Sequence, residues 1–362
     1  MSGGAIRTAR PDAAPLSGKH HASERPHIMS KLRAVIVGCG GKAKIHAQEF
    51  VRLGVEIVGL CDVTVEIVDN FIKNAIPDYE PQPTIYTDAA EMYANARPDV
   101  AAVITPHSMH YDQCVQAIEA GCHVLVEKPM VVDVDHARDL AARVEKAGKI
   151  LVIGYCPPFT AEFAYLREQV GNGSMGKLEL ICGYLTQGWK PKDIKAQGWR
   201  MVPQLSGGGQ AYDSGAHILS SLCWPVGSPV AEVHAFVDNQ GLPVDVNSSI
   251  NVRFENGVMG VVVIGGNCPV RGRHMTFAFD NGRIEIDGWT GNWINVLTRK
   301  GKLEDLDLGH RGISPAENFI DAVSGRDQPR TTPADGIIQS ELMAAVYESA
   351  RTGQSVRINH LA

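Results

Sequence analysis

Three short segments of the 362-residue sequence hold the side chains best suited to acid–base chemistry. They are TPHSMH (105–110), EKP (127–129) and SGGGQAYDSGAH (206–217). Histidine titrates near neutral pH, so it can take a proton from an alcohol while a hydride leaves the same carbon. A lysine at the end of a buried strand needs a partner or a cleft for its ammonium group. These residue types are suited to proton transfer at a carbon that bears a hydroxyl group. Taken alone, a proline that ends a strand and a solvated lysine charge are the plainer interpretations of the first two segments.

Asp213 and His217 in the third segment are four residues apart, so they share one face if a helix begins within it. The carboxylate would then orient the imidazole or hold a substrate hydroxyl. A helix cap beside a histidine with satisfied hydrogen bonds is the plainer interpretation, and a pair of metal ligands is another. The metal site is disfavoured because no third ligand stands at a suitable spacing. We therefore expect no metal ion.

A glycine-rich turn follows the first apolar strand, in the sequence LRAVIVGCGGKAKIH (32–46). It matches the pattern G-x-G-x-x-[G/A], in which the first glycine allows a tight turn and the second lets the backbone approach a pyrophosphate. The small last residue lets the following helix pack against the strand, and the free N–H groups of the helix attract phosphate. A tight turn without a ligand is the alternative. The predicted cofactor contacts here are Gly38, Gly40, Gly41, Lys42 and Ala43.

Asp62 ends the second predicted strand, about 20 residues after the glycines, where the dinucleotide-binding pattern has an acidic residue. A carboxylate there accepts hydrogen bonds from the ribose hydroxyls and repels a 2′-phosphate. An ordinary aspartate at the end of a strand is the alternative. The strand, the helix and the acid together favour a dinucleotide site, with NAD as the cofactor rather than NADP.

Short apolar strands alternate with helical segments from Leu32 to Tyr155, which predicts βαβ units in a parallel sheet. After Tyr155 the strands lengthen and are separated by turn pairs such as Asn256-Gly257, as in antiparallel hairpins. The expected fold is α/β: an N-terminal Rossmann domain with a doubly wound parallel sheet, then a C-terminal α+β domain with a large, mostly antiparallel open sheet. The expected units are a leader (1–30), the Rossmann domain (31–154) and a domain for substrate binding and oligomerisation (155–362).

The composition argues against several classes of function. A net charge of −6 offers no basic surface for nucleic acid or for an anionic membrane. No apolar run reaches the length of about 18 residues that spans a bilayer. Eight cysteines without a C-x-x-C pair indicate free thiols in a reducing, cytoplasmic compartment. Residues 1–30 lack the apolar core of a secretory signal, and we interpret them as a disordered arm, an expression remnant or an upstream start before Met29.

Four segments stand in the same order as the motifs of a known enzyme family: GCGGKAKIH, TPHSMH, EKP and GGGQAYDSGAH. Over residues 32–358 the sequence resembles the Gfo/Idh/MocA oxidoreductases, named for glucose-fructose oxidoreductase, inositol 2-dehydrogenase and a rhizopine catabolism protein. The resemblance implies that Lys128 lies between nicotinamide and substrate and hydrogen-bonds a substrate hydroxyl. It also implies that Asp213 and His217 complete the catalytic group, with His217 as the acid/base.

The same resemblance implies contacts to the nicotinamide half of the cofactor. Family substrates are mostly sugars, sugar derivatives and cyclitols, so a small carbohydrate or polyol is the expected partner. The residues expected near the nicotinamide are Thr105, Pro106, His107, His110, Glu127 and Lys128.

One departure from the family affects the expected pocket wall. The sequence GYCPPF (154–159) replaces a polar or arginine-rich stretch, so the usual substrate contacts do not transfer directly. Aromatic and basic residues in GWKPKDIKAQGWR (188–200) are suited to stack on a sugar and hydrogen-bond it, although a surface loop is an equal alternative. Trp189 and Lys190 belong to this suitable set. The expected substrate contacts are Lys128, Tyr155, Trp199, Arg200, Asp213 and His217.

Three functions agree with these residues. The first is an NAD-dependent dehydrogenase for a ring hydroxyl of a sugar, glycoside or inositol, with Lys128 and His217 assisting proton transfer. The second is an NAD-dependent glycosidase or lyase that oxidises the ring transiently and shows no net redox change. The third is a dinucleotide-sensing regulatory protein, which needs no acid/base. Apolar residues on both faces of VMGVVVIGG (258–266) predict a homo-oligomer, a dimer or tetramer, through the C-terminal sheet.

Overall fold

A parallel sheet of six strands forms the first half of the protein, in the order β3-β2-β1-β4-β5-β6. The computed structural model describes residues 31–190, 194 and 198–360. The predicted leader (1–30) and six residues of the segment 188–200 lie outside the described residues. The strands are β1 (Arg33–Val37), β2 (Glu56–Cys61), β3 (Thr84–Tyr86), β4 (Val100–Val103), β5 (His123–Val126) and β6 (Leu151–Ile153).

Helices cover both faces of this sheet, because each of them connects two parallel strands. Met92 and Leu140 pack in the core of one face, and Phe50 and Phe71 pack in the core of the other. The strand order reverses between β1 and β4, which confirms the predicted doubly wound sheet. The helices are α1 (Ala43–Arg52), α2 (Val65–Ala75), α3 (Ala89–Ala96), α4 (His110–Glu119) and α5 (Val134–Lys146).

The second half forms a sheet of nine strands in the order β14-β13-β12-β11-β7-β10-β9-β8-β15. Every neighbouring pair is antiparallel except β7 and β10, which run parallel. The prediction of a large, mostly antiparallel sheet is therefore confirmed. The strands are β7 (Leu178–Gly188), β8 (Val230–Asp238), β9 (Asn247–Phe254), β10 (Met259–Gly265), β11 (Asn267–Phe279), β12 (Gly282–Asp287), β13 (Ile294–Thr298), β14 (Gly301–Lys302) and β15 (Val356–Arg357).

One face of this sheet is buried beneath helices. Phe163, Leu219 and Leu342, from three of these helices, share a core with Ile181 and Phe277 of the strands. Alternating burial along β9 and β10 shows that the opposite face of the sheet is largely open. The helices are α6 (Ala161–Asn172), α7 (Pro203–Ser206), α8 (Gly215–Cys223), α9 (Pro315–Val323) and α10 (Pro333–Thr352).

Helix α9, from the tail of the chain, packs against the first sheet. Its Phe319 and Ile320 share a core with Phe50 and Leu125. Further along the tail, Thr331 Oγ1 donates to the carbonyl of Ile153 at 2.9 Å and accepts its N–H at 3.0 Å. The tail therefore completes the outer layer of the parallel sheet, although the sequence pattern groups it with the second half.

All eight cysteines lie in the described part of the chain and are free thiols, as predicted. Cys39 and Cys114 are buried, whereas Cys182 is exposed. Burial is the main cause that raises the pKa of the Cys39 thiol to about 12, so this thiol stays protonated at neutral pH. Among the described residues, none of the helices is long and apolar enough to cross a membrane.

The loop that precedes α8 is fastened to the buried carboxylate of Asp245. Asp245 Oδ1 accepts the N–H of Gly209 and the hydroxyl of Tyr347, both at 2.6 Å, and Oδ2 accepts the N–H of Ala211 at 2.8 Å. A Cβ on Gly209 would lie 2.0 Å from the Asp245 carbonyl oxygen, so only glycine fits there. The glycine run before Asp213 thus lets two stretches of backbone approach closely and sets the position of Asp213.

Asp245→Ala is expected to lower the free energy of unfolding by about 3 kcal/mol or more, since a hydrogen bond to a charged group is worth roughly 1.5–3 kcal/mol and the released donors would stay buried. Equilibrium unfolding in urea measures this loss. Tyr347→Phe is the matched control, because it removes only one of the three bonds and should cost about 1.5 kcal/mol. Equal losses in the two variants would contradict the proposed anchoring role of Asp245.

Candidate active site

A pocket of about 960 Å³ lies along the carboxyl ends of β1, β2, β4 and β5 and reaches the second sheet. Doubly wound sheets bind their ligands at this edge, where the strand order reverses. The structure brings together here residues from six separate segments of the sequence. The predicted site residues that line the pocket are Gly38, Gly40, Gly41, Lys42, Asp62, Thr105, Pro106, His107, Glu127, Lys128, Trp189, Trp199, Arg200, Asp213 and His217.

The glycine-rich turn is shaped to receive a ligand. Gly38 has a φ of +91°, and a Cβ there would lie 2.6 Å from the carbonyl oxygen of Ile104, so only glycine fits. A Cβ on Gly40 or Gly41 would meet no described atom within 4 Å, and both glycines line the pocket. The start of α1 has no side-chain cap and no acidic residue in its first turn, so no side chain of this turn competes with a phosphate for its N–H groups. These features fit the pyrophosphate of a dinucleotide.

Asp62 follows β2 and is tied to the glycine-rich turn. Its Oδ2 accepts the N–H of Cys39 at 2.7 Å, and its Oδ1 accepts the N–H of Val63 at 2.7 Å. Each carboxylate oxygen keeps further lone-pair capacity, so both remain able to accept a hydroxyl. The arrangement fits the ribose contact that the sequence pattern predicts.

Glu127 is an ionised carboxylate beside the glycine-rich turn. Its Oε1 lies 2.8 Å from Nε2 of His46, a buried residue of α1. Burial alone would raise the pKa of Glu127, but the bond to His46 and the positive charges of Lys128 and Lys42 lower it to about 2. Sequence reasoning missed His46, although it lies three residues after Ala43 and therefore on the same inward face of α1.

Lys128 and Asp213 form a buried ion pair in the lining of the pocket. Lys128 Nζ donates to the Asp213 carbonyl oxygen at 2.9 Å and to Asp213 Oδ1 at 3.0 Å. An ammonium group has three N–H donors, so one is left for the pocket. Burial would raise the pKa of Asp213, but the charges of Lys128 and Arg200 outweigh it and hold this pKa well below its usual range. Asp213 is therefore an ion-pair partner and not a proton acceptor near neutral pH.

The segment after β7 contributes to the pocket wall at both of its described ends. Asp213 Oδ2 accepts the indole N–H of Trp189 at 2.9 Å and the Nε–H of Arg200 at 2.9 Å. The Arg200 guanidinium lies 4.4 Å from the centre of the Trp199 ring. Lys190 points elsewhere and donates to Gln240 at 2.9 Å. Of the two interpretations of this segment, these contacts favour a pocket wall over a surface loop.

His217 lies in the first turn of α8, which begins at Gly215, so Asp213 precedes the helix. The hydrogen bonds of the Asp213 carboxylate go to Lys128, Trp189 and Arg200 and not to His217, so of its two expected roles the structure does not show the one of orienting the imidazole. Instead, the N–H of Cys156 donates to His217 Nδ1 at 3.3 Å, and Trp289 stacks on the ring at 4.6 Å. Burial, and after it the charge of Lys128, holds the pKa of His217 well below its usual range.

Three predicted site residues do not line the pocket. Ala43 is buried where α1 meets the sheet, as its small size predicts. His110 is also buried, with its Nδ1 2.8 Å from the carbonyl oxygen of Pro129 and its Nε2 2.9 Å from that of Thr105. Tyr155 is 1% exposed and lines a separate cavity of about 290 Å³ instead. Its ring packs in the core on one face of the parallel sheet and so lies away from the pocket in which we expect the substrate.

Several lining residues had no signal in the sequence. Gln187 and Trp289 come from the second sheet and its turns, and Arg271 comes from β11. The residues that flank them do not resemble a catalytic motif. Only tertiary packing brings these residues to the pocket, so the sequence alone could not identify them.

Family comparison matches both halves of the chain. Residues 32–155 match the model described as the oxidoreductase family with an NAD-binding Rossmann fold. Residues 163–291 match the GFO/IDH/MocA C-terminal domain. The two matches together cover more than half of the chain.

Two curated relatives that match most of this chain have carbohydrate-related names. D-glucoside 3-dehydrogenase of Escherichia coli K12 is 26% identical over 358 residues, which cover 91% of this chain and 98% of the relative. 1,5-anhydro-D-fructose reductase of Ensifer adhaerens is 26% identical over 291 residues, which cover 75% of this chain and 83% of the relative. Both similarities extend across the two sheets.

Solved structures show the same fold at lower identity. The WlbA dehydrogenase of Bordetella pertussis, crystallised with NADH and UDP-GlcNAcA, has a TM-score of 0.79 and 22% identity over 91% of this chain and 100% of that chain. The aldose-aldose oxidoreductase of Caulobacter crescentus, complexed with glycerol, has a TM-score of 0.77 and 23% identity over 90% and 99% of the two chains. With both of its halves matched, this chain belongs to the Gfo/Idh/MocA oxidoreductase family and contains its NAD-binding Rossmann domain.

Proposed function

We propose that this protein is an NAD-dependent dehydrogenase that transfers a hydride between a ring hydroxyl of a sugar, glycoside or inositol and the nicotinamide. The main support is the buried Lys128 ammonium, which Asp213 holds by two bonds while one N–H stays available to the pocket. A cation there stabilises the negative charge that develops on an alcohol oxygen as its proton leaves. His217, which lines the same pocket, assists the proton transfer.

The residues around the pocket suit each part of NAD. The glycine-rich turn and the start of α1 would hold the pyrophosphate, and Asp62 would hold the adenosine ribose. When bound, the nicotinamide accepts or returns the hydride. The residues that would contact the nicotinamide half of NAD are Thr105, Pro106, His107 and Glu127.

The tryptophan and basic residues that line the pocket suit a carbohydrate substrate. Trp189, Trp199 and Trp289 line it, and indole rings stack on the apolar faces of sugar rings. Arg200 and Lys128 supply donors for ring hydroxyls. The names of the relatives, D-glucoside 3-dehydrogenase and 1,5-anhydro-D-fructose reductase, support a pyranose-type substrate.

A redox-assisted glycosidase would use the same residues with a different outcome. Three relatives from Shewanella species are named glycosyl hydrolase family 109 proteins, but their similarity covers only 55% of this chain and 45% of each of them. The dehydrogenase relative is covered over 98% of its length. The dehydrogenase is therefore the function that we propose.

Lys128→Met, which removes the charge at similar length, is expected to lower turnover by about 10²–10⁴-fold, the usual contribution of acid–base assistance. The assay is a panel of sugars, glycosides and inositols with NAD⁺ and NADP⁺ that follows both reduced cofactor and released aglycone. Calorimetry should give an NAD⁺ affinity close to that of the wild type, because the proposed pyrophosphate and ribose contacts are unchanged. The control is Lys177→Met at an exposed ion pair with Glu179.

The three functions predict different results in this panel. Reduced cofactor that accumulates with wild type and Lys177→Met but not with Lys128→Met supports the dehydrogenase. Aglycone release without reduced cofactor would replace it with the glycosidase. Tight NAD⁺ binding with no turnover across the panel would favour the regulatory protein, and full activity of Lys128→Met would remove Lys128 from the mechanism.

Asp62→Ser is expected to weaken the preference for NAD⁺ over NADP⁺. The carboxylate repels the 2′-phosphate of NADP⁺, whereas a serine hydroxyl does not. The ratio of kcat/KM for the two cofactors should fall by about tenfold, which corresponds to roughly 1.4 kcal/mol of lost repulsion. Asp78→Ser, at an exposed position, is the control. An unchanged ratio in Asp62→Ser would place the ribose away from Asp62.

We also propose a homo-oligomer, a dimer or tetramer, formed through the open face of the nine-stranded sheet. Phe236, Val263 and Tyr184 lie in one row across the paired strands and are 66%, 47% and 45% exposed. Met259 and Leu180 form a second paired row and are 46% and 50% exposed. Ser249 stands between Phe236 and Val263 in the first row. Exposed apolar residues grouped in this way mark a protein contact, and two-fold pairing would bury them against one another.

Val263→Asp is expected to dissociate this oligomer, because it would bury a charge without a partner at the contact. Size-exclusion chromatography with light scattering measures the mass at micromolar concentration. Val51→Asp, at an exposed position on α1, is the control and should leave the mass unchanged. A monomeric wild-type protein would overturn the proposal.

A further inference from the structure

The two histidines that line the pocket bind the main chain through the same ring atom but in opposite senses. His107 Nδ1 lies 2.9 Å from the carbonyl oxygen of Ser206. A carbonyl oxygen only accepts, so His107 Nδ1 carries a proton. His217 Nδ1 lies 3.3 Å from the N–H of Cys156, which only donates, so His217 Nδ1 is unprotonated.

Both rings are neutral at physiological pH. His107 is 3% exposed and His217 is 2% exposed. Burial, followed by the positive charge of Lys128, holds the pKa of each ring well below the usual range of histidine. A neutral imidazole has one N–H and one lone pair. His107 therefore has its lone pair on Nε2, whereas His217 has its proton on Nε2.

These Nε2 atoms are the ring atoms left for a ligand. Among the described residues, neither Nε2 has a hydrogen-bond partner, and both histidines line the pocket. Aromatic neighbours hold the rings in place: Trp199 packs edge-on against His107 at 4.7 Å, and Trp289 stacks on His217 at 4.6 Å. The pocket thus offers one fixed acceptor and one fixed donor beside Lys128.

We propose that His107 is a catalytic residue, whose Nε2 accepts the proton of the substrate hydroxyl, while His217 donates its Nε2–H to a substrate oxygen. This assignment rests on the proposed dehydrogenase function. In the oxidation, the substrate carbon loses a hydride to the nicotinamide and its hydroxyl loses a proton to His107 Nε2. A C=O bond forms, the C–H and O–H bonds break, and the His107 imidazolium then releases the proton to solvent.

His217 is less suited to accept this proton. To present a lone pair on Nε2, it would have to move its proton to Nδ1, which faces the N–H of Cys156. Two N–H donors would then oppose each other in a buried position, at a cost comparable to that of an unpaired buried donor. His107 needs no such change, because its proton already lies in the bond to Ser206.

The tautomers are measurable in the cofactor-free protein. Long-range ¹H–¹⁵N correlation on protein labelled with ¹⁵N at histidine distinguishes protonated from unprotonated ring nitrogens, and His107→Asn and His217→Asn assign the two signals. We expect a protonated Nδ1 in His107 and a protonated Nε2 in His217. A His107 ring protonated on Nε2 would overturn the proposal, whether or not a substrate is known.

Kinetics test the acceptor role, with methyl β-D-glucoside and NAD⁺ as the probe. Asparagine keeps an N–H near the position of Nδ1, so His107→Asn retains the donor to Ser206 and loses only the lone pair of Nε2. We expect kcat to fall by about 10²–10⁴-fold, with KM and the melting temperature near those of wild type. His136→Asn, at an exposed ring stacked on Tyr111, is the control and should keep wild-type kinetics.

The two proposals fail in different ways. If wild type turns over the glucoside and His107→Asn keeps its kcat while His217→Asn loses it, His217 is the acceptor and only the present inference falls. If wild type turns over no member of the carbohydrate panel, the proposed function falls and takes the acceptor role of His107 with it. Loss of kcat in His107→Asn together with the expected tautomers supports both the dehydrogenase function and the acceptor role of His107.

Discussion

The arrangement of the pocket depends on one buried carboxylate, that of Asp213. It accepts hydrogen bonds from Lys128, Trp189 and Arg200, which come from the parallel sheet and from the segment after the first strand of the second sheet. A buried charge without partners costs several kcal/mol, so these donors and the carboxylate stabilise one another only when all are in position. The ion pair therefore links the correct packing of the two sheets to the correct position of the lysine.

Main-chain groups control most of the remaining chemistry. The carboxylate of Asp245 holds the loop of Asp213 through two backbone N–H groups. The carbonyl of Ser206 and the N–H of Cys156 bind the two pocket histidines and determine which ring nitrogen carries the proton. Backbone groups are fixed by the fold, so these side chains are oriented before any ligand binds, which lowers the cost of ordering them.

Much of the geometry of the proposed cofactor site was predictable because it is local. The glycine-rich turn lies between one strand and the next helix, and the close approach at Gly38 requires a residue without a side chain. Asp62 follows the neighbouring strand, so parallel pairing brings it to the same turn. The contacts of Asp213 and His217 were not predictable in the same way. The side chains that bind the Asp213 carboxylate lie 13 to 85 positions away along the chain, and the backbone N–H that binds His217 lies 61 positions away.

The sequence by itself determined the two-sheet fold, the dinucleotide turn and the residue types that carry the chemistry. Strand and helix periodicity, glycine positions and strand-end acids all act between near neighbours, so they can be read along the chain. Only the tertiary structure decided that Tyr155 turns into the core, that Trp189 and Arg200 share the carboxylate of Asp213, and that His107 and His217 hold opposite tautomers. These outcomes depend on contacts between distant segments, which form only when both sheets have packed.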